Sequence, residues 1–187
     1  MNIDYKGLLE EVQKVQLDTI VSVAEFKGNA GTTFLARKRR GLYWLWTSLT
    51  NEELQQISYN DKNIRHVPIS KLIAQRKELK HICKVTLKDY RIVYNGIGGY
   101  RTLSKSFGLR ERILQEITCN DARTGTLNIS SGCEDLNKWA VSFFDFDDDH
   151  NKAILKSLNS DNPYIEYATI LENLWRLEYG TPILCRQ

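Results

Sequence analysis

Apolar residues near the start of the chain recur three and four apart. Leu8, Leu9, Val12, Val15 and Ile20 predict a helix over residues 4–26, with Val21–Val23 able to turn toward strand. The run Gly41–Trp46 (GLYWLW) is almost continuously apolar and aromatic, the pattern of a buried strand. Thr50 followed by Glu53 has the form of a capping box and predicts a short helix through Ile57. Pro68 predicts a further helix, with Ile69, Leu72, Ile73 and Leu79 on one stripe and Lys71, Arg76, Lys77 and Lys80 elsewhere. Residues 81–94 alternate as one or two strands, and Gly96, Gly98 and Gly99 predict a loop that ends them. A helix over 109–117, a turn-rich stretch over 120–135 and a strand over 138–146 follow, the strand with Trp139, Val141 and Phe143 on one face. Pro163 opens a last helix over residues 164–179, which Gly180 and Pro182 stop.

Strands and helices are thus interspersed, which predicts an α+β fold. We expect a small three-stranded, mostly antiparallel central sheet flanked by helices, with a helical insertion between the first two strands. The 187 residues suffice for one domain with insertions. Residues 1–36 are expected to form an N-terminal helical extension. Residues 37–187 form the main domain, with a basic segment inserted over 50–90.

Composition changes this picture in three ways. No apolar run approaches the roughly 18 residues of a membrane helix, and residues 1–23 lack the pattern of a signal peptide. A soluble chain at work in the cytoplasm, away from membranes, is the expectation. Cys83, Cys119, Cys133 and Cys185 form no close pairs and read as reduced core or loop residues rather than zinc ligands. The net charge of +3 is unevenly spread: Arg37–Arg112 carries a balance of +11 and the remainder −8. A basic middle suits a polyanion such as DNA, and equally a solvated, salt-bridged surface.

Three motifs stand out: Gly41-Leu42-Tyr43, Tyr94-Asn95-Gly96, and Glu172 within Ile170-Leu171-Glu172-Asn173-Leu174-Trp175. With Gly108-Leu109-Arg110-Glu111-Arg112-Ile113 and Pro182-Ile183-Leu184-Cys185, they resemble the GIY-YIG nuclease superfamily from Gly41 to Cys185. The resemblance implies a metal-dependent endodeoxyribonuclease, akin to the restriction-endonuclease members. Tyr43 and Tyr94 match the signature tyrosines, Arg112 the helix-borne arginine, and Glu172 the glutamate that would hold Mg²⁺ or Mn²⁺. Arg110 and Arg101 are alternatives for the arginine, and Glu166 for the glutamate. The chain departs from the pattern in three places. About fifty residues separate the two tyrosines, Glu116 stands where some members carry His or Tyr, and Cys185 takes the usual asparagine position.

The chemistry needs an activated water and a clamp on phosphoryl charge. The resemblance assigns Tyr43 as general base, which requires its pKa to fall from about 10, and has Tyr94 orient water or phosphate. Candidate DNA contacts are Arg37, Lys38, Arg39 and Arg40 at the mouth of the site, Lys71, Arg76, Lys77 and Lys80 on the inserted helix, and Arg101 and Lys105 after the second motif. Double-stranded DNA is the expected partner, and a duplex cutter of this size is expected to pair as a homodimer. The open alternatives are a nonspecific phage or mobile-element nuclease, a non-catalytic DNA-binding protein on the same fold, and a protein-binding module using Asp145–Asp149.

Overall fold

The computed structural model describes residues 4–29, 34–60, 65–99, 107–119, 125–158 and 163–185. In chain order the elements are α1 (Tyr5–Asp18), β1 (Val21–Ser22), α2 (Val23–Asn29), β2 (Gly41–Thr47), α3 (Asn51–Gln55), α4 (Ile69–Arg76), β3 (Thr86–Leu87), β4 (Tyr90–Gly98), α5 (Leu109–Thr118), β5 (Trp139–Asp145), α6 (Asp149–Leu155) and α7 (Pro163–Tyr179). The strands form one antiparallel sheet in the order β1-β5-β2-β4-β3. It curls into a half-barrel within an α+β fold.

The expectation of a three-stranded sheet is therefore corrected: the sheet has five strands. The two additional ones, β1 and β3, are only two residues long, too short to leave an alternating pattern in the sequence. The long N-terminal helix also divides. At Thr19 the hydroxyl donates to the Phe143 carbonyl at 2.8 Å and accepts from the Phe143 N–H at 3.0 Å. Val21 and Ser22 then pair with Val141 and Ala140. The edge of β5 offers the β-branched segment backbone partners that compete with continuing the helix. Residues 1–36, expected as an extension, thus contribute a strand to the main sheet, and Leu8, Leu9 and Val12 pack in the core with Trp44 and Trp175.

All seven residues of β2 are buried, because helices cover both faces of the sheet. On one face Tyr43, Leu45, Trp139, Val141 and Phe143 meet Leu109, Ile113 and Ile117 of α5 and Ile69 and Ile73 of α4. On the other, Leu42, Trp44, Trp46 and Phe144 meet α1 and α7, with Trp44 and Trp175 ring centroids 5.6 Å apart. The capping box of α3 forms as its sequence predicts, Thr50 accepting from the Glu53 N–H and Glu53 from the Thr50 N–H. Leu79, expected on the apolar stripe, lies beyond the end of α4 and is 55% exposed. All four cysteines are free thiols. No helix among the described residues is long and apolar enough to cross a membrane.

Gly96 and Gly98 do not end the strand but extend it: β4 runs through Gly98, and only Gly99, at φ +72°, lies past its end. A Cβ at Gly96 would lie 2.5 Å from the Tyr43 hydroxyl oxygen, and one at Gly98 only 2.3 Å from the Leu109 Cα. These glycines let a tyrosine ring and the start of α5 lie directly on the sheet.

Candidate active site

The register of β2 on β4 sets Tyr43 opposite Gly96 and Leu45 opposite Tyr94. An irregularity between Leu45 and Trp46, where the partner skips from Tyr94 to Ile92, bends the ladder at this point. The two tyrosine rings lie on the face covered by α5, their centroids 6.3 Å apart. The two motifs, about fifty residues apart in sequence, thus form one neighbourhood.

At its centre is Glu116, which has no exposed surface. Its Oε1 accepts from the Tyr43 hydroxyl at 2.8 Å and from Arg112 Nη2 at 2.7 Å. Its Oε2 accepts from the Leu127 N–H at 2.8 Å, and Tyr94 lies close enough to the same carboxylate for each to shift the other's titration. Arg112 and Glu116 are one turn apart on α5, so the helix itself brings the guanidinium over the carboxylate. Arg112 also donates to the Gly125 carbonyl at 3.2 Å.

Burial raises the Glu116 carboxyl above its ordinary range, with Arg112 and the Leu127 N–H pulling the other way. Burial and then the Glu116 charge raise the Tyr43 phenol well above its usual value, and Arg112 only partly opposes them. Tyr94 is raised for the same first two reasons. The direction is opposite to the lowered pKa expected of Tyr43. The side chain is 0% exposed, neutral, and a donor rather than a base. Tyr94, by contrast, is half-buried and lines a cleft.

That cleft has a volume of about 90 Å³ and is lined by Tyr94, Asn95, Arg65, Arg176, Cys185 and Gly125. Behind it lies a second network, carried by α7 and β4. Glu172 Oε1 accepts from Arg176 Nη2 at 2.9 Å, again one turn along a helix. Arg176 Nε donates to Asn95 Oδ1 at 3.0 Å. The Cys185 thiol donates to the same oxygen at 3.0 Å, and the Asn95 N–H donates to its sulfur at 3.3 Å. Burial pushes the Cys185 thiol up to about 12, so it remains a neutral donor. A carboxamide does stand beside Cys185, but it comes from β4. Glu172 is 9% exposed, and burial raises its carboxyl against the pull of Arg176.

The resemblance implies Mg²⁺ or Mn²⁺ here. No three His, Cys, Asp or Glu side chains gather into a cage among the described residues. Glu172 Oε1 holds Arg176, while Oε2 has no hydrogen bond among the described residues. One free carboxylate oxygen fits a hydrated hard cation that takes its remaining ligands from water and phosphate, and does not fit a protein-caged ion.

The predicted DNA contacts separate into groups. Arg39 Nη1 donates to the Asp147 carbonyl at 2.5 Å, and its Nε lies 3.7 Å from Asp145 Oδ2. Arg40 holds the Asp147 carboxylate, with its Nε 3.2 Å from Oδ1. The basic run thus neutralises the acidic stretch after β5, and only Arg37 and Lys38 of the run are exposed. Arg76 donates to the carbonyls of Ile183 and Cys185 and so holds that segment rather than facing outward. Lys71, Lys77 and Lys80 are exposed. Arg101 and Lys105 lie outside the described residues, as does the side chain of the alternative Glu166. Arg110, the alternative arginine, is buried on α5, and its Nε has no hydrogen-bond partner among the described residues.

Glu116 is marked in the sequence only as a departure, and Arg176 only by standing four residues after Glu172. Arg112-x-x-x-Glu116 and Glu172-x-x-x-Arg176 share the i, i+4 spacing of opposite charges, and that was the signal available. Comparisons of the chain with protein-family models, curated proteins and solved structures found no match.

Proposed function

We propose that this chain is a metal-dependent DNA endonuclease that hydrolyses phosphodiester bonds, site-specific in the manner of restriction enzymes. One observation carries the reading. Tyr43 and Arg112 converge on the buried carboxylate of Glu116, the Tyr94 ring of the second motif packs 6.3 Å from that of Tyr43, and Tyr94 lines a cleft together with Arg176, the partner of Glu172.

The directions of the pKa shifts support a relay rather than a tyrosinate base. A water in the cleft gives its proton to the Tyr94 oxygen as Tyr94 passes its own proton to Glu116. The water oxygen forms the new P–O bond, and the bond to the leaving sugar oxygen breaks, that oxygen taking a proton from solvent. The raised pKa of Glu116 makes it the better acceptor. Tyr43 holds the carboxylate in place from its buried side. Arg112 stabilises the charge that the relay moves, and a fixed guanidinium does this with little reorganisation. Glu172 would hold the cation, whose charge stabilises the phosphoryl and leaving oxygens. Exposed Arg37, Lys38, Lys71, Lys77 and Lys80 supply phosphate contacts on double-stranded DNA. A duplex cutter with one such cleft per chain acts as a homodimer.

The burial of Tyr43 and the pinning of Glu172 by Arg176 favour a second reading, a DNA-binding protein without catalysis. The test is incubation with plasmid and mixed genomic DNA in Mg²⁺, Mn²⁺ or EDTA, with Glu172→Ala as control. Metal-dependent fragments that the control does not produce are expected. Salt-sensitive DNA binding with no cutting in any metal would select the second reading.

A further inference from the structure

We propose that Arg65 and Arg176 form a phosphate subsite in the cleft beside Tyr94. Only the identity of its natural ligand, a nucleic-acid backbone phosphate, rests on the hydrolase reading above. The volume of about 90 Å³ compares with about 30 Å³ for one water in the liquid, which leaves room for a tetrahedral oxyanion. Two arginines, Arg65 and Arg176, are among the residues that line the cleft, and no carboxylate is among the described residues that do.

Arg176 is aimed in advance. Its Nε is committed to Asn95 Oδ1 and its Nη2 to Glu172 Oε1. A guanidinium has five N–H bonds in a fixed plane, so these two anchors lock its orientation while others remain for a ligand. Asn95 is only 2% exposed, and its Nδ2 is buried without a hydrogen-bond partner among the described residues. A buried amide left in that state is costly unless a ligand or water completes it.

Arg65 reaches the same cleft from the segment between the two motifs. That segment is stapled down: the Val67 N–H donates to the Thr126 carbonyl at 2.9 Å, and Asn60 Nδ2 donates to the carbonyls of Val67 and Leu127. A Cβ at Gly125 would lie 2.3 Å from the Arg65 carbonyl oxygen, so this glycine permits the close approach. The subsite therefore joins the insertion to the last helix across the cleft. A phosphate bound there would lie among Arg65, Arg176 and Tyr94.

The experiment is an NMR titration of the full chain with inorganic phosphate, in EDTA and at ionic strength held constant with chloride. The Arg176 Nε–H and Asn95 side-chain amide signals are followed. Saturable shifts are expected with phosphate and not with chloride alone. Arg65→Gln, at an exposed position, and Arg176→Gln should each weaken binding about tenfold, the size of one charge-assisted hydrogen bond. Should Arg176→Gln fail to fold, Arg65→Gln decides alone. Equal affinity in wild type and Arg65→Gln, or identical shifts with chloride, would overturn the subsite. The two proposals fail separately. Phosphate binding as described by a protein that cuts no DNA removes the hydrolase reading and leaves the subsite. DNA cutting with phosphate binding insensitive to Arg65→Gln does the reverse.

Discussion

Replacing Glu116 with Ala removes the one carboxylate on which Tyr43, Arg112 and the Leu127 N–H converge. The Arg112 side chain is 18% exposed, so its charge would be left largely buried without a partner. Breaking a buried ion pair from one side costs about 3–5 kcal/mol. The Tyr43 hydroxyl and the Leu127 amide lose an acceptor in the same event, at about 1–3 kcal/mol for each if no water enters. These costs overlap rather than add, so about 4–5 kcal/mol is expected, a large share of the roughly 5–15 kcal/mol that holds a domain together. Urea unfolding followed by fluorescence reads it directly, because Trp44, Trp46, Trp139 and Trp175 are all buried. A companion pair separates charge from packing. Glu116→Leu should be strongly destabilising alone and clearly less so when combined with Arg112→Met, since the double variant leaves no unpaired charge. A Glu116→Ala cost below about 1 kcal/mol, a size usual for exposed ion pairs, would refute the reasoning.

Gly96→Ala should cost about 1–3 kcal/mol, the range for overpacking, because the new methyl would lie 2.5 Å from the Tyr43 hydroxyl oxygen; an unchanged urea midpoint would contradict the account of that glycine. Burial raises the carboxyls of Glu116 and Glu172, and both must be ionised for the proposed reaction. The acid limb of kcat/KM should therefore lie above the ordinary glutamate range near about 4.3, and a limb at or below that range would contradict it. Stability runs in the opposite sense. A carboxyl raised in the folded state favours folding below its unfolded pKa, and that contribution is lost as pH rises through the folded pKa. Replacing Lys71, Lys77 and Lys80 together with Ala should flatten the salt dependence of DNA binding by about 0.9 in log–log slope for each phosphate that a lysine no longer neutralises; a slope equal to wild type would remove these lysines from the interface.

How much of this was legible in the sequence depends on the length of the signal each element leaves. The buried strands β2 and β5 carry seven residues each, and their apolar runs announced them. The two-residue strands β1 and β3 carry no period, and their pairing is set by the edges of β5 and β4. The glycines of β4 misled because glycine commonly marks a turn, whereas here it makes room for Tyr43 and α5. The motifs placed Tyr43, Tyr94 and Arg112 in one neighbourhood, but protonation is not written in a motif. Tyr43 and Tyr94 look equivalent by residue type. Only the packing of α5 shows that one is sealed against Glu116 while the other lines the cleft. Likewise Arg39 and Arg40 read as free cations until Asp145 and Asp147 fold back onto them. Asn95 is the variable residue of the second motif, Arg65 comes from a segment without a recognisable pattern, and the two meet only through tertiary contacts.

The relay through Tyr94 is tested most directly by single-turnover cutting of a DNA duplex by wild type and Tyr94→Phe, at protein concentrations that saturate binding for both. The account predicts metal-dependent cutting by wild type, DNA affinity unchanged in the variant, and cutting slowed at least 100-fold, the lower end of what a positioned acid–base group contributes, about 10²–10⁴. Equal cutting rates for the two proteins would contradict it.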